Sequence, residues 1–111
     1  ATGMLSGKYL DKDNWPEGAR WSLSNRNPNH RHNEIAHQAT AAYIDVAKKH
    51  DLDPCQMALA FTLAKPFVTA TIIGATSMEQ LRSNIAAMDV KLSKDVMADI
   101  EAVRRQFPMP F

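Results

Sequence analysis

One run, Phe67-Val68-Thr69-Ala70-Thr71-Ile72-Ile73, is uncharged and dense in β-branched side chains, whereas the other patterned stretches of this 111-residue chain repeat at helical spacing. Such a run predicts a strand at about 68–73 that is covered on both faces, as in a parallel sheet, with Gly74 ending it. A lone buried strand leaves its backbone N–H and C=O groups unpaired, and the sequence offers no comparable second run. Three completions are open. A weak strand lies near Ala1 to Leu5, or the run belongs to a larger sheet whose other strands lie elsewhere, or two copies complete each other.

Around this run the chain divides at about residue 33. Before it the sequence is rich in Asn, Pro, Arg and Trp without periodicity; after it the pattern is strong. Ile35, Ala39, Tyr43, Val46 and Ala47 recur at helical spacing behind Asn33, a suitable N-cap, and Lys48, Lys49 and His50 suit a C-terminal dipole. Asp53-Pro54 reads as cap and first position of a second helix, apolar on nearly every face and stopped by Pro66. Ser77-x-x-Gln80 has capping-box spacing ahead of Leu81, Ile85 and Met88. Ser93 caps a last helix with a stripe of Val96 or Met97, Ile100, Val103 and Phe107, ended by Pro108 and Pro110. Met57, Met78, Met88 and Met97 read as core filler.

Composition narrows the partners. Thirteen Lys/Arg against twelve Asp/Glu leave a net charge of +1, so a nucleic-acid footprint is not expected. With 45% apolar and 23% charged residues the chain is of ordinary globular type, and its length permits one core. The longest uncharged run, Pro66 to Met78, falls short of the ~20 apolar residues of a membrane span, so no membrane partner is expected either. A single cysteine, Cys55, cannot form an internal disulfide and fits a reducing, cytoplasmic setting. The chain starts at Ala1 with no signal-peptide pattern, which suggests a piece of something longer.

Two segments have the make-up of anion-binding turns. Ile72-Ile73-Gly74-Ala75-Thr76-Ser77 leads a small, uncharged loop into a helix N-terminus, where free amides and the dipole favour a phosphate, although Glu79 already answers that dipole. An ordinary capped turn is the competing reading. Gly3-Met4-Leu5-Ser6-Gly7-Lys8 combines two glycines, a hydroxyl and a cation, but lacks P-loop spacing and by itself reads first as a tight turn.

Gly3 to Tyr9, Asp53 to Phe61, Ile72 to Ile85 and the tail Leu92 to Arg104 together resemble the C-terminal part of the aldo-keto reductase family, its bacterial members in particular. The resemblance spans nearly the whole chain and is weakest from Leu10 to Asn33. It implies an α/β fold, the C-terminal part of a (β/α)8 TIM barrel of ~250 residues or more. Residues 1–33 would be the end of strand seven and a long loop, and residues 34–111 a helix-helix-strand-helix-helix order that accounts for the orphan strand. It also implies NADP(H) as cofactor, with Leu5, Ser6, Gly7 and Lys8 along its pyrophosphate and Gly74, Ala75, Thr76, Gln80 and Asn84 along its adenosine side. The substrate would be a small carbonyl compound.

Two departures bear on that implication. Many members carry Lys where Gly74 stands and Arg where Gln80 stands, both for the 2′-phosphate, and a third, acidic position is Ser83 here. Discrimination of NADP from NAD would then rest on backbone amides, Gln80 and Arg82. The family's catalytic Asp, Tyr, Lys and His lie upstream of the region resembled, so the chain alone is expected to be inactive; Tyr9 and Tyr43 read as structural. His30, His32 and His37 fit no common metal pattern and read as a solvated loop. Trp15 and Trp21 suggest a lid in a complete barrel and disorder in the isolated piece. The competing function is a non-enzymatic helical module, regulatory or self-associating.

Overall fold

Asn33 turns the chain into its first helix. In the computed structural model, which describes residues 2–11, 13–23 and 32–110, its Oδ1 accepts the Ala36 amide at 2.8 Å. Helix α1 then runs over Glu34–Lys49, with Glu34 in its first turn and Lys48 and Lys49 in its last, charges that complement the dipole at both ends. Asp53 caps α2, Pro54–Leu63, by accepting the Gln56 amide at 2.8 Å, and Pro54 fills the first position where its missing N–H costs nothing. Ser77 opens α3, Met78–Ala86, and Ser93 opens α4, Lys94–Gln106, each hydroxyl accepting the amide three residues on at 3.2 Å. All four caps fall where the sequence puts them.

The core lies between α1, α2 and α4. Val46 and Ala47 of α1, Met57 of α2 and Val96, Ile100 and Val103 of α4 are buried together, and Phe61, Leu92 and Phe107 pack around them. Burial of one such aliphatic side chain is worth roughly 1.5–3 kcal/mol, so this stripe supplies most of the drive for the three-helix arrangement. At its edge Asp99 of α4 accepts from Lys49 Nζ at 2.7 Å and from His50 Nε2 at 2.6 Å, tying the end of α1 to α4. Those two bonds hold the Asp99 carboxyl below its ordinary range. Ile35 departs from the expected stripe: it is exposed, and Ala36 is turned inward in its place.

The expected strand at 68–73 is not formed. Among the described residues the chain is helical, with no strand and no sheet, so the α/β class expected for it is not found. The run stands largely in the open, with Phe67 80% and Ile72 97% exposed. One side-chain link, Thr62 Oγ1 to Thr71 Oγ1 at 3.0 Å, ties it to α2. Composition made the run suitable for a strand, but a ladder needs a second backbone alongside, and the described residues hold none. The weak strand considered near Ala1 to Leu5 is also absent: Met4–Ser6 is a turn of 3-10 helix. With no sheet to pack on, α3 buries no residue, and Met78 and Met88, expected in the core, lie 61% and 74% exposed.

Candidate functional site

Gly3 and Gly7 bracket the Met4–Ser6 turn, both in the left-handed region at φ 88° and 80°. The positive φ favours glycine at position 7, and a Cβ there would also stand 2.6 Å from Ile44 Cδ1 on α1, a side-chain end that would have to shift. Inside the turn the Ser6 hydroxyl donates to the Gly3 carbonyl at 2.6 Å and its oxygen accepts the Lys8 amide at 3.4 Å. Ser6 therefore staples the turn. The Leu5 amide makes no hydrogen bond among the described residues, and Lys8 is exposed.

The second set of candidate residues is also joined together. Gln80, in the first turn of α3, accepts at Oε1 from the Thr76 amide at 2.9 Å and the Thr76 hydroxyl at 3.1 Å. One turn later Asn84 donates from Nδ2 to the Gly74 carbonyl at 3.2 Å. The expected capping box is thus shifted, since Gln80 reaches back to Thr76 and not to Ser77. These bonds fix both amide groups: Gln80 is left with its Nε2 donors and Asn84 with its Oδ1 acceptor for other partners. The amides of Ala75, Ser77, Met78 and Glu79 make no hydrogen bond among the described residues. Around Gly74 the space is open, with nothing within 4 Å of a Cβ built there.

Helix α2 is the element that both sets touch. The Met4–Ser6 turn packs on α1 and α2, and α3 packs on α2, whereas no contact joins that turn to α3. The links converge on the first turn of α2. Burial pushes the Cys55 thiol up and the nearby Lys8 charge opposes that rise, while the adjacent Gln56 donates to the Ser83 carbonyl at 3.1 Å. Leu5 also borders an apolar cavity of about 320 Å³ between the turn, α1, α2 and α4.

The polar-looking loop holds an unexpected second core. Tyr9 is fully buried and stacks on Trp21 with ring centres 4.0 Å apart at 15°, and Trp15 meets both rings edge-on at 5.7 Å. Ala19 and Ala36 are buried with them. The disorder expected around Trp15 and Trp21 is not what residues 13–23 show: Ser22 Oγ donates to the Pro16 carbonyl at 2.7 Å and closes the segment on itself. The signal was present in Tyr9, Trp15 and Trp21, three large rings at six-residue intervals. His32 Nδ1 and His37 Nε2 lie 2.9 Å apart, and His37 is buried, so this pair is part of the packing; His30 lies outside the described residues. Tyr43 is half-buried, and its hydroxyl is shifted up by burial.

Comparison with known proteins covers this whole arrangement. The profile of the aldo/keto reductase family matches residues 1–105. The chain is 47% identical over 108 residues to the protein tas of Escherichia coli, a match that takes in 97% of this chain and 31% of that protein. It is 38% identical over 104 residues to an uncharacterized oxidoreductase of Mycobacterium tuberculosis, covering 89% of this chain and 30% of the relative. A putative voltage-gated potassium channel subunit beta of Schizosaccharomyces pombe is 30% identical over 121 residues, covering 97% of this chain and 33% of that protein. The chain thus spans about a third of the length of these relatives. With the family profile running from the Gly3–Gly7 turn through α4, this chain belongs to the aldo/keto reductase family.

Proposed function

We propose that this chain supplies the cofactor-holding portion of a cytoplasmic, NADP(H)-dependent oxidoreductase that passes hydride between the cofactor and a small carbonyl compound. When bound, the nicotinamide supplies the hydride; the residues here grip the rest of the molecule. The reading is carried by one observation: Gln80 and Asn84 brace the Gly74–Thr76 loop from one face of α3 while the amides of Ser77, Met78 and Glu79 make no hydrogen bond among the described residues. Unbonded amides at a helix N-terminus suit a phosphate. Gln80 Nε2 would donate toward phosphate oxygens and Asn84 Oδ1 would accept from a base. Leu5, Ser6, Gly7 and Lys8 would line the pyrophosphate, the first three through backbone and Lys8 through its charge. Neither a nucleic acid nor a membrane enters this reading. No helix among the described residues is long and apolar enough to cross one.

The full reading frame tests it. Asp, Tyr, Lys and His in the family's catalytic pattern upstream of Ala1 would support the reading, and their absence would contradict it. Residues 1–111 alone should turn over no carbonyl substrate and bind NADPH weakly or not at all; micromolar binding by this stretch would contradict the division of labour proposed. The second reading is a regulatory, non-catalytic or self-associating module, favoured by the 30% identity to the channel subunit beta across nearly the whole chain. Cofactor binding without reductase activity in the product of the full reading frame would select it.

A further inference from the structure

We propose that the Tyr9–Trp21 stack is a clamp that positions the Gly3–Lys8 turn for the cofactor, with Trp21 as its main positioning residue. The inference rests on the reading that this turn lies along the pyrophosphate. Taken alone the turn is a weak structure. It is held by local bonds of 3.0–3.2 Å between backbone groups and by the Ser6 staple, and it has two left-handed glycines. Such a turn keeps its shape but not its direction, unless contacts outside it hold it in place.

Two anchors do so. The first is the packing of the turn on α1 and α2, with Gly7 against Ile44 of α1. The second is Tyr9, directly after Lys8, whose ring is fully buried and lies flat on Trp21, in the same buried cluster as Met4 of the turn. The Tyr9 hydroxyl accepts the Trp21 amide at 3.4 Å, twelve residues along the chain. The clamp is then carried on to α1: His32 stands edge-on to Trp15 at 5.0 Å and meets His37 of α1 at 2.9 Å. Tyr9 also touches the turn it anchors, since a Cβ at Gly3 would lie 3.5 Å from Tyr9 Cε2 and Lys8 Nζ rests 5.2 Å from the ring centre. Removing Trp21 loosens the second anchor and leaves the turn held by its packing on α1 and α2 alone. The cofactor must then order the turn on binding, which weakens affinity and leaves the hydride step largely as it was.

The test uses the product of the full reading frame containing this sequence, with NADPH as the probe. Trp21→Ala should raise the KM for NADPH about fivefold to tenfold and change kcat less than about twofold, the range expected for one aromatic stack. Trp21→Phe keeps a ring on Tyr9 and should return KM to within about twofold of the parent. A folded Trp21→Ala protein with unchanged KM, or one that loses kcat at constant KM, overturns the clamp. If Trp21→Ala loses its far-UV signal, Trp15→Leu at the edge of the cluster decides on the same terms. A parent protein that binds no NADPH overturns the cofactor reading itself, which separates the two failures.

Discussion

Helices α3 and α4 begin alike and end in different surroundings. Each is capped by a serine whose hydroxyl takes the amide three residues on, and each carries aliphatic side chains along one face. Yet α4 buries Val96, Ile100 and Val103 against α1 and α2, while α3 buries nothing and leaves Ile85 54% exposed. Capping and periodicity are local properties and decide that a helix forms. Whether its apolar face is covered depends on what else is present, and here the segment before α3 has no strand partner among the described residues.

That contrast can be broken most directly by cutting the same side chain from each helix. Ile100→Ala should cost about 2–5 kcal/mol of unfolding free energy, because it empties a packed core, whereas Ile85→Ala should stay within about 0.5 kcal/mol. Urea unfolding of residues 1–111 reads both, and equal losses would mean that α3 is covered after all.

Glycines give the next contrast. Gly7→Ala meets both a positive φ and Ile44 at 2.6 Å, and should destabilise by about 1–3 kcal/mol. Gly74→Lys meets open space, so thermal melts should leave it within about 0.5 kcal/mol of the parent. In the product of the full reading frame the same lysine should sharpen preference for NADPH over NADH, since it adds a cation beside the proposed phosphate site.

Removing the caps separates global from local stability. Ser93→Ala should lower the stability of the whole core by about 1 kcal/mol. Ser77→Ala should accelerate amide exchange in α3 alone and leave the melting temperature in place.

The smallest effect is that of acid. Glu101 is held at about 2 by Arg104, which donates from Nε at 2.7 Å and Nη2 at 2.6 Å, and then by Arg105. Its carboxyl is depressed from an ordinary 4.5, as that of Asp99 is also depressed. The contribution of Glu101 is therefore present above its unfolded value and fades as pH falls from about 4.5 toward about 2, and that of Asp99, also lowered, is likewise lost on the acid side. Exposure keeps it small. Melting curves through that range should fall less steeply for Glu101→Gln than for the parent.

Much of this was legible because the signals are short-range. Asn33, Asp53, Ser77 and Ser93 each announce a helix within three residues, and the stripe Val96, Ile100, Val103 names its own buried face. Phe67 to Ile73 misled because β-branching records suitability for a sheet, while pairing is a property of two segments. The loop misled in the other direction. Its polar residues hid three rings that find one another across twelve positions, a contact that neither helical nor strand periodicity reports. For the candidate site, the turn and the braced loop were readable from their glycines and their cap. That Gln80 reaches Thr76, and that α2 is the element both sets touch, depended on the folded geometry.

The most direct test is amide hydrogen exchange on the product of the full reading frame, with and without saturating NADPH. Slowed exchange is expected at two separate places together, Leu5 to Lys8 and Ala75 to Asn84, with the α4 core unchanged. Protection at neither place, or at one of them alone, would contradict it.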